Sequence, residues 1–392
     1  MFTVPPPQFS LQAGYRLNPG RHQPTEYLTR FALMRFFTGK YLLWLLGCGL
    51  LLACGPRQTL SPPGTSPSPT PPQGPVAHSL VFAIHGDGSY LYHDREGQAL
   101  RADEGALQQA LALGEGLPQA EVFVFHLKPA RKFFFFWPQK DGTVYHFRGG
   151  QQIARKDYFW AKGDSVWGWE SRFFRQNSVA DGHTSKMFFF YGHEIPLTAP
   201  GAYHASHRHH PFSLTTFAEG LGQFYGGFKA RPCLDLLTLS TCNNATPQFV
   251  ATLGPLSRFI LASPGRLHLS HIDSDILLPL LQRSDPGLSQ LVTAFSREAF
   301  DRLCSRTETA VTLSLFETRM VLPGIESLLA RFPAISPALP EGDCQDCQSF
   351  PQIGEDLPTL GVRAFYRPPT FGRQKDKQTH SGWGCRLITG PW

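Results

Sequence analysis

From residue 79 onward, short apolar runs alternate with longer segments of helical periodicity. The runs of strand length are Leu80–Ile84, Val122–Leu127, Phe133–Trp137, Thr143–Phe147, Met187–Tyr191, Leu234–Leu239, Arg258–Ala262, Thr312–Phe316 and Val362–Tyr366. Several are apolar on both faces, as expected of strands in the middle of a covered parallel sheet. Between them the spacing predicts helices over Glu104–Leu113, Thr215–Phe228, Pro247–Leu256, Leu288–Leu303 and Leu322–Phe332. Strands and helices in alternation predict an α/β domain, with a mostly parallel sheet and helices on both faces. Phe133–Phe147 reads as a hairpin turning at Pro138 and Asp141-Gly142. No polar linker interrupts residues 78–332, so one domain over 78–392 is expected.

Upstream the pattern changes. Residues 34–54 read MRFFTGKYLLWLLGCGLLLAC. Arg35 and Lys40 precede an apolar run, Tyr41–Ala53, with the length of a signal-peptide core. That run is short of the ~20 residues a membrane span needs. It closes on Leu51-Leu52-Ala53-Cys54, which resembles the bacterial lipobox, so Cys54 is expected to carry the lipid. Leu45-Leu46-Gly47-Cys48 fits the same pattern but leaves an apolar core of only about 7 residues. Residues 1–33 are polar and unpatterned, and Met34 is read as the true start, with 1–33 an extension upstream of it. A peptide from 1–33 in whole-cell mass spectrometry would refute that. Residues 55–77 are rich in Pro, Ser, Thr and Gly and read as an extended tether. The expected order is lipid, stalk and domain, exported to a bacterial cell envelope and held at a membrane by its acyl chain. Gly55, rather than Asp, after the lipobox Cys points to the outer membrane in a two-membrane cell.

Composition narrows this only a little. With 392 residues, 42% hydrophobic, the chain can bury a large core. The net charge of +6 comes from scattered Arg and Lys, with no basic face or module that would take nucleic acid. The 8 Cys are unevenly spaced and do not form a disulfide-dense scaffold.

Chemistry in an open α/β sheet sits at the carboxyl ends of its strands. After Leu80–Ile84 comes His85-Gly86-Asp87-Gly88. After Met187–Tyr191 comes Gly192-His193-Glu194. After Leu234–Leu239 comes Ser240-Thr241-Cys242-Asn243-Asn244, and Thr246 then caps a helix with Pro247 at its first position. Cys242 is thus expected in a strand-to-helix turn whose helix end favours the thiolate, with a strand-end His as its base. Read singly, a Cys after a strand is most often a small buried apolar side chain, and a loop His a surface residue.

The order of these elements resembles the clostripain-like cysteine peptidases of the caspase-type clan. The resemblance is carried by KMFFFYGHEIP, by LDLLTLSTCNNATPQFVATLGPLSRFILASPGRLHLSHID, by AVTLSLFETRMVLPGIESLLARF, and by the closing GVRAFYRPPTFGR and HSGW. It covers roughly 78–392 and implies a three-layer caspase-like fold. It further implies Cys242 as nucleophile, His193 as general base, and the backbone N–H groups of Cys242 and Glu194 as the oxyanion hole. Peptide or protein substrates, cleaved after a basic residue through a thioester, follow from it, with no metal or organic cofactor required. Three departures stand out. Glu194 replaces the family's Gly after the His. Ser240 replaces the acid two residues before the Cys, leaving Asp273, with Asp275 close by, as the candidate pocket carboxylate. The strand before the Cys also lacks the family's small-residue lead-in. A catalytically silent binding lipoprotein on the same fold is the competing reading, and a non-peptidase hydrolase a third.

Other motifs add less. His204, His207, His209 and His210 could bind zinc or nickel but read more simply as a polar loop. Gly192-His193-Glu194 does not start a zincin motif, because Leu197 stands where the second His belongs. Cys344 and Cys347 have metal-knuckle spacing with no second pair, so a disulfide among them and Cys385 is the simpler expectation in an exported chain. No Gly-x-Ser-x-Gly elbow accompanies His85-Gly86, which is read as a cleft-lining strand end. Phe133–Phe136 reads as a buried strand rather than a membrane-dipping hairpin.

Overall fold

The computed structural model describes residues 75–86, 91–93, 99–129, 132–133, 137–160, 166–197, 212–226, 232–267, 271–283, 287–335, 360–372 and 374–384. The leader, most of the tether, the histidine cluster, Phe134–Phe136, Cys344, Cys347 and Cys385 lie outside these.

The strands are β1 (His78–His85), β2 (Leu91–His93), β3 (Ala99–Arg101), β4 (Ala120–Leu127), β5 (Lys132–Phe133), β6 (Trp137–Pro138), β7 (Gly142–Arg148), β8 (Gln151–Tyr158), β9 (Ser185–Tyr191), β10 (Leu234–Ser240), β11 (Ser257–Ala262), β12 (Val311–Glu317) and β13 (Val362–Arg367). The helices are α1 (Ala102–Gly116), α2 (Gly168–Asn177), α3 (Leu214–Phe224), α4 (Pro247–Leu253), α5 (Leu277–Leu281), α6 (Leu288–Arg306) and α7 (Thr318–Ile335).

Nine strands form one sheet in the order β13-β12-β11-β10-β9-β1-β4-β7-β8. The five central strands, β11 to β4, are mutually parallel, and the flanking pairs are antiparallel. Among those five the chain starts at β1, steps out to β4, then crosses back to β9 and proceeds to β11. The reversal lies between β1 and β9, and in such sheets a crevice opens at the carboxyl ends there.

Strand alternation builds two cores. Val81, Ala83, Phe123, Phe125, Phe188 and Phe190 point to one face, where α2, α3, α4 and α7 cover them with side chains such as Phe174, Phe217, Phe249 and Val321. Leu80, Phe82, Ile84, Val122, Val124, Met187 and Phe189 point to the other, under α1, α5 and α6. Both faces of β1, β4 and β9 are therefore apolar, which is why these strands read as unbroken runs. The mostly parallel sheet between two helical layers is the architecture expected from the sequence.

Two local expectations differ. Phe133 pairs with Trp137 in a minimal ribbon, while Thr143–Phe147 belongs to β7, held between β4 and β8. The sequence does not announce β8, because Gln151–Lys156 is polar and largely exposed at the sheet edge. Nor does it announce α2, whose helical core is one Phe and a buried, polar Glu170 and Ser171.

Candidate active site

Strand register sets the site. Tyr191 at the end of β9 and Ser240 at the end of β10 are direct partners across the parallel pair. His193 and Cys242 each lie two residues beyond, so neighbouring loops carry them off the same edge of the sheet. Both are partly exposed. Cys242 packs against the face covered by α1, α5 and α6, and it is in no disulfide.

The two loops are tied together immediately after these residues. The Asn243 side-chain amide donates to the Glu194 carboxylate. The Asn244 side chain imitates a strand, accepting from the Ile195 N–H at 3.1 Å and donating to the Ile195 carbonyl at 3.3 Å. Thr241 donates its hydroxyl to the same Asn244 oxygen. The Asn243 and Ala245 N–H groups donate to Gly265 and Ser263, fixing the turn on its other side. Asn243 has a left-handed backbone, φ +56°, a conformation that Asn tolerates better than most residues. Near the C-terminal end of the described chain, Gly384 donates its N–H to the Ala245 carbonyl at 2.8 Å, so the closing segment packs onto the same turn.

The helix expected after Cys242 begins at Pro247. Thr246 does occupy the cap position and Pro247 the first turn, but Asn243–Thr246 separate Cys242 from α4. The helix field falls off within a turn. The Thr246 side chain makes no capping bond, and its buried hydroxyl has no partner.

The two pocket candidates have different fates. Ser240 is buried and accepts from the Ile272 N–H at 2.8 Å, fastening β10 to the 271–276 segment. Asp273 is 1% exposed and already heavily engaged. It accepts from Gln109 at 2.7 Å and Arg306 at 2.9 Å, with His271 at 3.3 Å and Arg302 at 3.8 Å. Burial pushes its carboxyl upward, but the bonds and charges of His271, Gln109 and Arg306 outweigh it and hold the group well below the usual carboxylate range. Asp275, partly exposed, is taken by Arg302 at 2.6 Å.

His85 is buried at the end of β1 inside an aromatic cage of Trp160, Trp167, Phe190 and Phe212. Trp167 donates its indole N–H to His85 Nε2 at 3.2 Å, from a left-handed backbone position. A small cleft, open to solvent and with water-accessible space of about 20 Å3, lies beside it at the β1/β9 reversal. Its walls are His85, Ala102, Asp103, Tyr191, Gly192, Ser240 and His271. It adjoins the candidate pair, since Gly192 precedes His193 and Ser240 stands two residues before Cys242. No sequence signal points to Asp103, which sits in the first turn of α1 and reaches the cleft only through the fold. Among the described residues, no group of three or more His, Cys, Asp or Glu is placed to hold a metal ion, and no helix is long and apolar enough to cross a membrane.

Fold and strand ends together define a doubly wound α/β protein whose neighbouring strand-end loops, after β9 and β10, carry His193 and Cys242. No family model and no curated protein sequence matches the chain. Among solved structures it is similar to a secreted C11 cysteine protease from Bacteroides thetaiotaomicron in complex with an irreversible peptide inhibitor. The identity is 11%, over 66% of this chain and 70% of that one, with a TM-score of 0.45. It is also similar to an inactive zymogen C11 protease from Parabacteroides distasonis, at 11% identity over 71% and 70% of the two chains and a TM-score of 0.42. A likeness of this degree says nothing of chemistry.

Proposed function

We propose that this chain is a clostripain-like cysteine endopeptidase, anchored by an acylated Cys54 and spaced from the membrane by residues 55–77. The observation that supports it is the register. Cys242 and His193 stand two residues past partnered strand ends, so adjacent loops present a thiol and a base to one substrate bond. The Cys242 thiolate attacks the peptide carbonyl, and the oxyanion is met by the backbone N–H groups of Cys242 and Glu194. His193 protonates the leaving amine, which departs and leaves a thioester on Cys242. His193 then takes a proton from water, which attacks the thioester and releases the acid product with the thiol restored. The substrate is a peptide or protein, cut after a basic residue.

The link between Asn243 and Glu194 favours a second reading, in which the chain is a silent envelope-binding lipoprotein. It bridges the two loops at the residues that follow His193 and Cys242. One experiment separates the two. The full chain is treated with a thiol-directed electrophile and with a fluorogenic peptide library, beside Cys242→Ala and His193→Ala. The peptidase requires selective Cys242 labelling that His193→Ala slows, and cleavage that falls by about 10^3-fold or more in either variant. A folded chain with an unreactive Cys242 and no cleavage at any pH selects the silent reading.

A further inference from the structure

His193 and Cys242 are bracketed at equal offsets along their two loops. Two residues before them, Tyr191 and Ser240 are partners across the parallel strands. Two residues after them, Ile195 and Asn244 are joined by a side chain. The Asn244 amide accepts from the Ile195 N–H at 3.1 Å and donates to the Ile195 carbonyl at 3.3 Å. Those partners fix which end of the amide is oxygen. Asn244 and Ile195 are both 0% exposed. β9 ends at Tyr191, so the ladder bonds of the sheet do not extend to the Ile195 peptide groups. Buried polar groups are costly unless paired, and here the amide and the Ile195 backbone satisfy each other. Thr241, 1% exposed, adds a third bond by donating its hydroxyl to the same amide oxygen. On its far side the turn is held by backbone bonds, from the Asn243 N–H to Gly265 at 2.9 Å and from the Ala245 N–H to Ser263 at 3.1 Å.

We propose that Asn244 is a positioning residue of this site, a clamp that holds the His193 loop and the Cys242 loop in one fixed relation. The inference rests on the peptidase reading above and deepens it by naming what aligns the two loops. Strand pairing alone stops two residues short of His193 and Cys242, and each residue beyond it brings two soft dihedrals. Pinning the loops again on the far side removes that freedom. The Asn243–Glu194 bond also crosses between the loops, but it joins two side chains, each with its own rotamers. Asn244 grips the Ile195 backbone itself, at both its donor and its acceptor. Proton transfer between a thiol and an imidazole needs hydrogen-bond reach, and a displacement of about 1 Å costs on the order of 100-fold in rate. Asn244 acts through the backbone of its neighbours and takes no part in the chemistry.

The test uses the full chain and the rate at which iodoacetamide alkylates Cys242, with the labelled cysteine identified by peptide mapping. Asn244→Ala and Thr241→Val are each made with and without His193→Ala. Asn244→Ala is expected to slow alkylation by about 10-fold and to lower kcat/KM for a cleaved peptide by about 100-fold. Thr241→Val keeps the side-chain shape and removes only the bond to the amide, so it should act in the same direction and by less. The His193→Ala background decides the matter. If Asn244 works by aligning the loops, its removal costs nothing further once the imidazole is gone, and the two losses in alkylation rate do not add. Equal losses with and without His193 would mean a general loosening of the turn and would overturn the proposal. So would an Asn244→Ala chain that alkylates and cleaves like wild type. Should Asn244→Ala fail to fold, as read by circular dichroism, Thr241→Val carries the same comparison. Wild type whose Cys242 reacts no faster than in His193→Ala overturns the peptidase reading and the clamp together, whereas a His193-dependent Cys242 indifferent to Asn244 removes the clamp alone.

Discussion

Glu170 shows what burial does to a single group. It is 2% exposed on α2 and accepts the Tyr158 hydroxyl at 2.8 Å, while its second oxygen has no partner. Burial raises its carboxyl to about 7, against the opposing help of its backbone bond and of Tyr158. A raised carboxyl is protonated in the folded state where the unfolded chain has already ionised. Its stabilisation is therefore full below pH ~4.5 and is lost as pH rises through ~7. Wild type is expected to lose on the order of 3 kcal/mol between pH 4.5 and pH 8 from this group. Glu170→Gln keeps an acceptor for Tyr158 and removes the loss, so its advantage in unfolding free energy should grow from pH 5 to pH 8. A difference that stays flat with pH would show that Glu170 is not the group responsible.

At the scale of elements, two helix starts that look alike in sequence behave differently. Ser213 caps α3 with a reciprocal box, bonding the Thr216 N–H while Thr216 bonds back. The Thr246 side chain, at the same position before α4, makes no capping bond and buries its hydroxyl without a partner. Ser213→Ala should cost about 1 kcal/mol in chemical denaturation. Thr246→Val should cost nothing and gain about 1 kcal/mol, because a methyl replaces an unpaired buried hydroxyl. Equal losses in both variants would contradict this difference in capping. The reason lies in packing. Pro247 and Phe249 are buried against the first core, so α4 is placed by its apolar face and its cap is not needed to start it. The sequence pointed to a cap only at Thr246, and the bond that does form, at Ser213, depended on neighbours.

At the scale of the molecule, Asp273 joins parts distant in sequence. It binds Gln109 of α1 and Arg306 of α6, with Arg302 nearby, and so ties two helices to the segment that follows β11. Its depressed carboxyl contributes stability that is present above the ordinary Asp value near 4 and is lost as pH falls below it. Acid unfolding of wild type should therefore steepen below about pH 4, and Asp273→Asn should remove that slope while lowering stability at pH 7. Arg306→Ala should cost about 2 kcal/mol at neutral pH by leaving the buried charge underpaired. An acid limb identical in Asp273→Asn and wild type would show that the loss comes from other carboxylates.

The sequence by itself determined the layered α/β architecture, because strands buried on both faces must be apolar throughout and helices buried on one face must repeat at 3.6. It also determined that His193 and Cys242 follow strands β9 and β10, since an apolar run that stops abruptly marks a sheet edge. It did not reveal β8 or α2, whose residues are mostly polar and gain their place from neighbours. Tertiary structure decided the rest. The pairing of Tyr191 with Ser240 aligned the two loops, a register that periodicity cannot supply. Asp273, the pocket candidate nearest in chain order, went to Arg306. Asp103, 139 residues before Cys242 in the numbering, came to the cleft wall because α1 packs over the face that also carries Cys242. Which carboxylate is held by an arginine and which sits beside a histidine depends on contacts between distant segments, and those exist only once the sheet has closed.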